Sequence, residues 1–220
     1  MSARLIPTSE AYAELQRCFE HYNRELFDGG LPDCLITLQR KGKRIAGFFA
    51  PERFRRATGE VTHELALNPA HFATGGLVEI LQTVAHEQTH LWQRVYGTPG
   101  RRGYHNKEWA AKMKAIGLQP SSTGKPGGKE TGESIGDYVV DGGPFDVATK
   151  RLLDSGFVVS WAEVVDLVAA SLEDGEGSGE ATGDRSNRVK YQCPGCAANA
   201  WGKPDLALMC GKCRLDLARA

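Results

Sequence analysis

The residues best suited to chemistry are His86, Glu87 and His90, which form an HExxH pattern in a stretch of helical character. Two histidines four residues apart lie on the same face of an α-helix, so their imidazoles can bind one Zn²⁺. The glutamate between them can act as general base toward a water activated by that metal. The alternative is a pair of surface histidines that form ion pairs with nearby carboxylates. The position of the motif in mid-helix, with glycines soon after, favours the metal site.

A catalytic zinc site commonly has three protein ligands and one open position for water. Two downstream residues are candidates for the third ligand. Glu108 lies eighteen residues after His90 and would correspond to the helix-borne glutamate of thermolysin-like enzymes, whereas His105 lies fifteen residues after His90. The metzincin pattern is absent, because Gln93 and Tyr96 stand where its glycine and histidine would be.

Four of the six cysteines form two CxxC pairs separated by thirteen residues, and they are Cys193, Cys196, Cys210 and Cys213. Each CxxC turn presents two thiolates to one metal, and two turns complete a tetrahedral site without an open position. Such a site is typical of structural zinc. A redox role would require a CxxC beside a βαβ pattern, which is absent. We therefore predict a small zinc ribbon over residues 189–220, whose folding depends largely on the metal.

The histidines require helices to hold them, and hydrophobic periodicity predicts three helices in the N-terminal half. The first covers residues 9–27, with Thr8 or Ser9 as its N-cap. The second covers residues 77–96, contains the HExxH motif and ends at a run of glycine, threonine and proline. The third covers residues 107–116 and follows an asparagine, which is a typical N-cap residue.

Three short runs between the first two helices have the composition of β-strands. They are residues 34–39, 45–50 and 61–68, and the last of them alternates apolar with polar side chains. Three adjacent runs predict a small three-stranded sheet that follows a helix. The N-terminal part of the chain is therefore predicted to be α+β.

The chain between the helical half and the cysteines is less informative. Residues 121–172 are predicted to form an α/β extension of unknown role. Its predicted elements are a strand, a helix, a second strand and a second helix, over residues 137–140, 144–154, 157–159 and 160–173. Residues 173–188 lack aromatic side chains and any aliphatic side chain larger than alanine, which predicts a flexible acidic linker.

The balance of charged residues restricts how this protein could bind nucleic acid. Lys and Arg total 27 and Asp and Glu also total 27, so any affinity for nucleic acid must come from local patches. The alternative to a nucleic-acid patch is that Arg53, Arg55 and Arg56 form the solvated face of a hairpin. The aromatic residues of the ribbon would then pack on the ribbon's own core. Tyr191 is a further candidate for stacking on bases. The candidate nucleic-acid contacts are Arg53, Arg55, Arg56, Lys190 and Trp201.

Composition restricts the class of protein. Hydrophobic residues make up 41% of the 220 residues and charged residues 25%, which excludes a wholly disordered or fibrous chain. No apolar run approaches the roughly 18 residues that a spanning helix needs. The first fourteen residues also lack the apolar segment of a secretory signal. We therefore expect a soluble protein without a membrane partner, either cytoplasmic or associated with the nucleoid.

Several motifs together resemble the SprT-like (Spartan-type) zinc metalloprotease domain. They are FDGGLP at the end of the first helix, the three strand-like runs, HEQTHLW, and YHNKEWAAKMKAIGL. The resemblance covers about residues 9–118, and a C-terminal zinc ribbon is also similar to that of bacterial and archaeal SprT-like proteins. It implies a zincin-like fold in which His86, His90 and His105 are the ligands and Glu87 is the base. Glu108 then becomes a helix-start residue that suits the helix dipole.

These features predict a zinc-dependent metalloprotease with one catalytic and one structural zinc. Its predicted parts are a protease domain, an extension, a linker and a ribbon, over residues 1–120, 121–172, 173–188 and 189–220. The substrate is expected to be a polypeptide bound in extended form along a sheet edge near residues 61–68. Because the family includes proteases that act on proteins crosslinked to DNA, the resemblance implies DNA as a partner. Stacking of Trp201 or Tyr191 on bases would favour single-stranded DNA.

The competing hypothesis is a non-proteolytic, zinc-stabilised nucleic-acid-binding or transcription-associated factor. In such a protein the HExxH site would no longer cleave anything. The intact Glu87 weighs against it, because a binding module has no use for the general base.

Overall fold

The computed structural model describes residues 6–40, 45–162 and 189–219. The chain divides into two compact units, one within residues 1–167 and the other within 168–220. The predicted linker at 173–188, and most of the helix predicted at 160–173, lie outside the described residues. Among the helices that are described, none combines the length and apolar character needed to cross a bilayer.

Helices supply most of the core of the first unit. They are α1 (Pro7–Leu26), the short α2 (Ala70–Thr74), α3 (Leu77–Tyr96) and α4 (Lys107–Ala115). The predicted bounds of α3 are confirmed, and α4 ends one residue earlier than predicted. Apolar residues recur along the long helices every three to four positions, so each helix buries one face. The largest fully buried side chains of these helices are Phe19, Tyr22, Leu81, Leu91, Trp109 and Met113.

The helix starts differ in how they are capped. Helix α1 begins at Pro7, and its N-cap residue Ile6 makes no side-chain hydrogen bond, so the predicted capping by Thr8 or Ser9 is wrong. Proline favours the first helical position because its φ is already helical and it needs no N–H partner there. Asn106 caps α4 as predicted, because its side chain accepts the N–H of the third helical residue at 3.0 Å.

The three predicted strands form one sheet, made of β1 (Leu35–Leu38), β2 (Gly47–Arg55) and β3 (Val61–Leu67). Its order is β1-β3-β2, with β1 parallel and β2 antiparallel to β3. Strand β2 continues past its predicted end at Ala50, because pairing with β3 resumes at Phe54 after a register shift. Strand β3 is therefore central and hydrogen-bonded on both sides, while β2 is an edge strand.

The described part of the predicted extension belongs to the first unit. Strands β4 (Leu118–Ser121) and β5 (Gly136–Val139) pair antiparallel, and helix α5 (Pro144–Asp154) has its predicted bounds. Helix α5 packs on α1, where the rings of Tyr22 and Phe145 stack with centroids 5.3 Å apart. These contacts tie the extension to the same core that supports the HExxH helix.

The strand predicted at 157–159 is wrong, because the segment is irregular. A strand needs a neighbouring strand as partner, and no strand of the described residues pairs with this segment. Phe157 instead packs into the core, with the guanidinium of Arg17 from α1 5.7 Å from the centre of its ring. The next two residues bond to α1: the backbone N–H of Ser160 donates to the carboxylate of Glu14 at 2.9 Å, and the indole of Trp161 donates to Glu10 at 2.7 Å.

The second unit is a three-stranded antiparallel sheet with order β7-β6-β8. Its strands are β6 (Val189–Gln192), β7 (Asn199–Gly202) and β8 (Ala218–Arg219). One CxxC pair begins directly after β6, and the other lies between β7 and β8. The described unit has few buried apolar side chains, which is consistent with a fold that relies on metal.

Candidate metal centres

Helix α3 presents His86 and His90 to His105, which lies just before α4. The Nε2 atoms of His90 and His105 are 3.2 Å apart. One ligand nitrogen from each of the three rings lies within 4.8 Å of the others. The fold thus brings together all three histidines of the predicted catalytic site, although His105 comes from a different element.

The spacing of these nitrogens fits a tetrahedral zinc ion. Zinc binds histidine nitrogen at about 2.0–2.1 Å, so two ligands at the tetrahedral angle lie about 3.3–3.4 Å apart. The observed 3.2 Å between His90 and His105 is close to that value. Nδ1 of His86 bonds to Asp137 at 2.8 Å and Nδ1 of His105 faces the carbonyl of Gly132 at 3.2 Å, which leaves Nε2 of each ring for a metal. Three imidazoles leave one position open, as in catalytic zinc sites.

Burial affects the protonation of these rings. Burial, together with the charge of His86, lowers the pKa of His105 to about 4 and that of His90 well below its usual value. Burial also acts to lower the pKa of His86, but the hydrogen bond to Asp137 and the charge of Glu87 outweigh it and raise the value. Neutral imidazole is the form that binds a metal, so the environment of His90 and His105 favours binding.

Glu87 lies buried between α3 and β2, with 5% of its surface exposed. The two elements approach closely because Gly47 has no side chain: a Cβ there would lie 2.7 Å from Thr83 Cγ2 and 3.3 Å from Glu87 Cγ. Burial, with a smaller contribution from the charge of Asp137, raises the pKa of Glu87 to about 7 and outweighs the charge of His86 and a hydrogen bond from the backbone of Phe49, which lower it. A carboxyl group with a pKa near neutrality is well suited to accept a proton and return it.

Asp137 in β5 is the site residue that sequence reasoning missed. Its Oδ2 accepts from Nδ1 of His86 at 2.8 Å, its Oδ1 accepts from Nε2 of Gln82 at 2.6 Å, and its side chain is only 5% exposed. No motif marks it, because it lies 51 residues from His86. The one available signal was an acidic residue within a predicted strand, where aspartate is uncommon.

Glu108, the alternative candidate for the third ligand, lies outside the group of histidine nitrogens. Its Oε2 accepts from the backbone N–H of Thr98 and from Nε2 of Gln93, each at 2.7 Å. These bonds join the start of α4 to the turn that follows α3. Glu108 therefore has a structural role that is larger than a favourable interaction with the helix dipole.

The indole of Trp109 forms the floor beneath the three histidines. Its ring centroid lies 4.9, 5.2 and 4.3 Å from those of His86, His90 and His105, and its side chain is fully buried. The ring of His90 is nearly parallel to the indole, with an interplanar angle of 23°. An apolar floor excludes water from one side of the site and restricts the orientation of the imidazoles.

An open cleft of about 1650 Å³ leads to the histidines. One wall is the edge strand β2 from Gly47 to Pro51, and the other wall includes Tyr104 and Tyr138. The predicted substrate edge near residues 61–68 is wrong, because β3 is the central strand of the sheet and is paired with both β1 and β2 from Glu64 to Leu67. The edge strand that borders the cleft is β2.

The four cysteines of the second unit also converge. Their Sγ atoms lie within 4.8 Å of one another, and those of Cys196 and Cys210 are 3.7 Å apart. Zinc binds thiolate at about 2.3 Å, so two ligands at the tetrahedral angle lie about 3.8 Å apart. The four sulfurs therefore suit one tetrahedral metal ion with no open position.

The candidate nucleic-acid contacts lie in both units. Arg53 lines the cleft, and Arg55 and Arg56 are exposed at the end of β2, where Arg56 forms an ion pair with Glu60 at 3.0 Å. In the second unit Lys190 and Trp201 are cross-strand partners, and Trp201 is 61% exposed.

The proposed stacking of Tyr191 on bases is wrong. Its ring is buried, its hydroxyl donates to the carbonyl of Lys203 at 2.8 Å, and the same oxygen accepts the N–H of Leu206 at 3.1 Å. Successive side chains of a strand point to opposite faces, so Tyr191 cannot share the exposed face of its neighbour Lys190.

Comparison of the sequence with known proteins assigns the chain to a family. A sequence profile of the SprT-like family matches residues 15–126, a range that includes the three histidines and Glu87. The chain is also 46% identical over 61 residues to a Salmonella typhimurium protein described as "Uncharacterized protein in mucB 3'region", which covers 27% of this chain and 81% of that protein. No solved structure matches the chain. The profile covers half of the chain and the relative is matched over most of its length, so this protein belongs to the SprT-like family.

Proposed function

We propose that this protein is a zinc-dependent metallopeptidase that hydrolyses peptide bonds. The observation that carries the proposal is the convergence of His86, His90 and His105 beside buried Glu87 at the base of an open cleft. Membership of the SprT-like family, whose domain is of the metalloprotease type, supports it. The four cysteines are proposed to hold a second, structural zinc in a zinc ribbon.

His86, His90 and His105 would hold the zinc, which would supply a Lewis acid for the activation of water and of the scissile carbonyl. Glu87 takes the proton of the attacking water and returns it to the leaving amine, and burial, which raises the pKa of its carboxyl group, makes it a stronger base. The backbone of Phe49 holds the Glu87 carboxyl in place, and the indole of Trp109 keeps one side of the site dry.

The proposed substrate is an extended segment of polypeptide that lies along the edge of β2. An edge strand offers backbone groups to a peptide, which gives affinity that depends little on sequence. The register shift between Ala50 and Phe54 interrupts the regular pairing of β2 and limits the stretch of edge that a substrate can use.

Metal removal tests the first proposal. Chelation of zinc should stop hydrolysis of an unstructured fluorogenic peptide, because Glu87 alone cannot activate water sufficiently, and added Zn²⁺ should restore the rate. A non-chelating isomer of the same chelator is the matched control and should leave the rate unchanged. Hydrolysis that continues after zinc has left the histidine site, measured as metal per chain, would contradict the proposal.

We further propose that the enzyme acts on DNA-bound or DNA-crosslinked proteins and that single-stranded DNA is its preferred partner. The support is Trp201, an exposed aromatic side chain beside Lys190, together with the exposed arginines at the end of β2. Aromatic side chains stack on unpaired bases, and cations release counterions from phosphates. The alternative of a non-proteolytic binding factor would leave the buried, positioned Glu87 without a role.

Substitution in the ribbon tests the DNA proposal. Trp201→Ala should weaken binding to single-stranded DNA by about 1–3 kcal/mol, the usual contribution of one stacked base. Affinity for any sequence should fall as salt rises, and Lys190→Ala should reduce that salt dependence. Trp161→Ala, which removes a 46% exposed tryptophan of the first unit, is the control. An intact protein that shows no binding at low salt in fluorescence anisotropy would overturn this proposal and leave the peptidase proposal untouched.

A further inference from the structure

One short segment, residues 132–137, forms hydrogen bonds with two of the three clustered histidines, His86 and His105. Gly132 exchanges two backbone hydrogen bonds with His105, at 2.8 and 3.1 Å, and its carbonyl also faces Nδ1 of that ring at 3.2 Å. Asp137 bonds to Nδ1 of His86 at 2.8 Å. Both residues lie beyond position 126, where the match to the SprT-like family ends.

The bond from Asp137 determines which nitrogen His86 offers to the cleft. A neutral imidazole carries one proton, and an acceptor at Nδ1 keeps the proton there, so Nε2 presents its lone pair. Histidine ligands of metals commonly have a carboxylate or a carbonyl at the second ring nitrogen, and that partner also sets the orientation of the ring. Asp137 and the carbonyl of Gly132 provide one partner of each kind.

Asp137 is in turn fixed by α3. Nε2 of Gln82 donates to its Oδ1 at 2.6 Å and to its backbone carbonyl at 2.9 Å. Gln82 lies one turn before His86 on the same helix, so the helix that carries the histidine also orients the carboxylate that holds it. Both carboxylate oxygens are therefore engaged by donors, and the side chain is 5% exposed.

We infer that Asp137 is a positioning residue of the metal centre, which holds His86 in the tautomer and orientation that present Nε2 to the metal. The inference rests on the metal site within the proposed function and not on peptide hydrolysis. A purely structural role, in which Asp137 only joins β5 to α3, would lower the stability of the metal-free chain without changing metal affinity.

The test measures the affinity of the histidine site for zinc, by competition between the 220-residue chain and a chromophoric chelator. The cysteine site is filled with zinc first, so that only the second zinc ion is followed. Asp137→Asn should weaken this affinity by about 10- to 100-fold, the usual effect of losing an outer partner of a histidine ligand. The reason is that an amide offers one acceptor, so it satisfies either His86 or Gln82 but not both. Asp154→Asn, an exposed carboxylate at the end of α5, should change the affinity less than twofold.

A rescue variant distinguishes positioning from simple structural support. When Gln82→Glu is combined with Asp137→Asn, the new amide can donate to the new carboxylate while its oxygen accepts from His86. This double variant should recover part of the lost affinity, since the carboxyl–amide bond is restored but the donor to the backbone carbonyl of residue 137 is not. Gln82→Met, which leaves the carboxylate but removes its orienting donor, should weaken zinc binding by several-fold and serves as a second test should Asp137→Asn not fold.

Unchanged zinc affinity in Asp137→Asn, or a loss that the double variant does not recover, would overturn the inference. A lower melting temperature of the metal-free variant with unchanged affinity would do the same, since only a structural role would remain. A chain that binds zinc as expected but hydrolyses no peptide would overturn the peptidase proposal and support this inference, because no peptide enters the measurement.

Discussion

Peptide hydrolysis should fall by about 10²- to 10⁴-fold, the range attributed to general acid–base catalysis, when Glu87 is replaced by glutamine. The amide has nearly the same shape as the carboxyl group and can still accept the hydrogen bond from the backbone of Phe49, so the buried position between α3 and β2 is retained. It cannot take a proton from water. Zinc content and melting temperature should therefore stay as in the wild type.

Glu20→Gln is the matched control for this experiment. Glu20 lies on α1, is exposed and does not line the cleft, so its replacement should leave the rate of hydrolysis within about twofold. The comparison uses turnover of an unstructured peptide together with zinc per chain from both purified proteins. Retained cleavage in Glu87→Gln would refute the role of Glu87 as general base.

The third ligand is decided by comparing His105→Ala with Glu108→Ala. His105→Ala removes one of three converging nitrogens, so zinc affinity at this site should fall by more than the 10- to 100-fold typical of an outer partner. Glu108→Ala should leave zinc affinity unchanged. It should lower the free energy of unfolding by about 1 kcal/mol, because Thr98 and Gln93 lose the carboxylate that accepts their hydrogen bonds.

Metal titration and thermal unfolding of the same two proteins give the result. A loss of zinc in Glu108→Ala, with His105→Ala still binding normally, would assign the site to the class with a glutamate ligand. It would also remove the most specific point of agreement with the SprT-like pattern.

The parts of this protein that its sequence predicted well are those set by local spacing. His86 and His90 share a helix face because 3.6 residues make one turn, and that relation holds in any fold. The bounds of α3 and α5 follow from the same periodicity and from the glycine and proline residues at their ends. Each CxxC pair needs only one turn of chain to bring two sulfurs to one metal.

Elements that depend on a partner were predicted less well. The segment at 157–159 has the composition of a strand, but no strand of the described residues pairs with it, and Phe157 packs into the core beside α1 instead. The composition of β3 indicates a strand, yet only its pairing shows that it is central and that β2 borders the cleft. The composition of a segment indicates that it suits a β-sheet, but it does not indicate which strands will pair with it.

Local spacing therefore specifies the ligand pairs, which are His86 with His90 and the two cysteines of each CxxC turn. The packing of the whole chain is needed to bring His105, and not Glu108, to the histidine pair and to set what surrounds it. Asp137 reaches His86 across 51 residues, and Gly132 reaches His105 across 27, through the pairing of β4 with β5 and the packing of that pair against α3 and α4. Contacts of this kind depend on the packing of many side chains at once, so they cannot be predicted from the types and positions of the two residues alone.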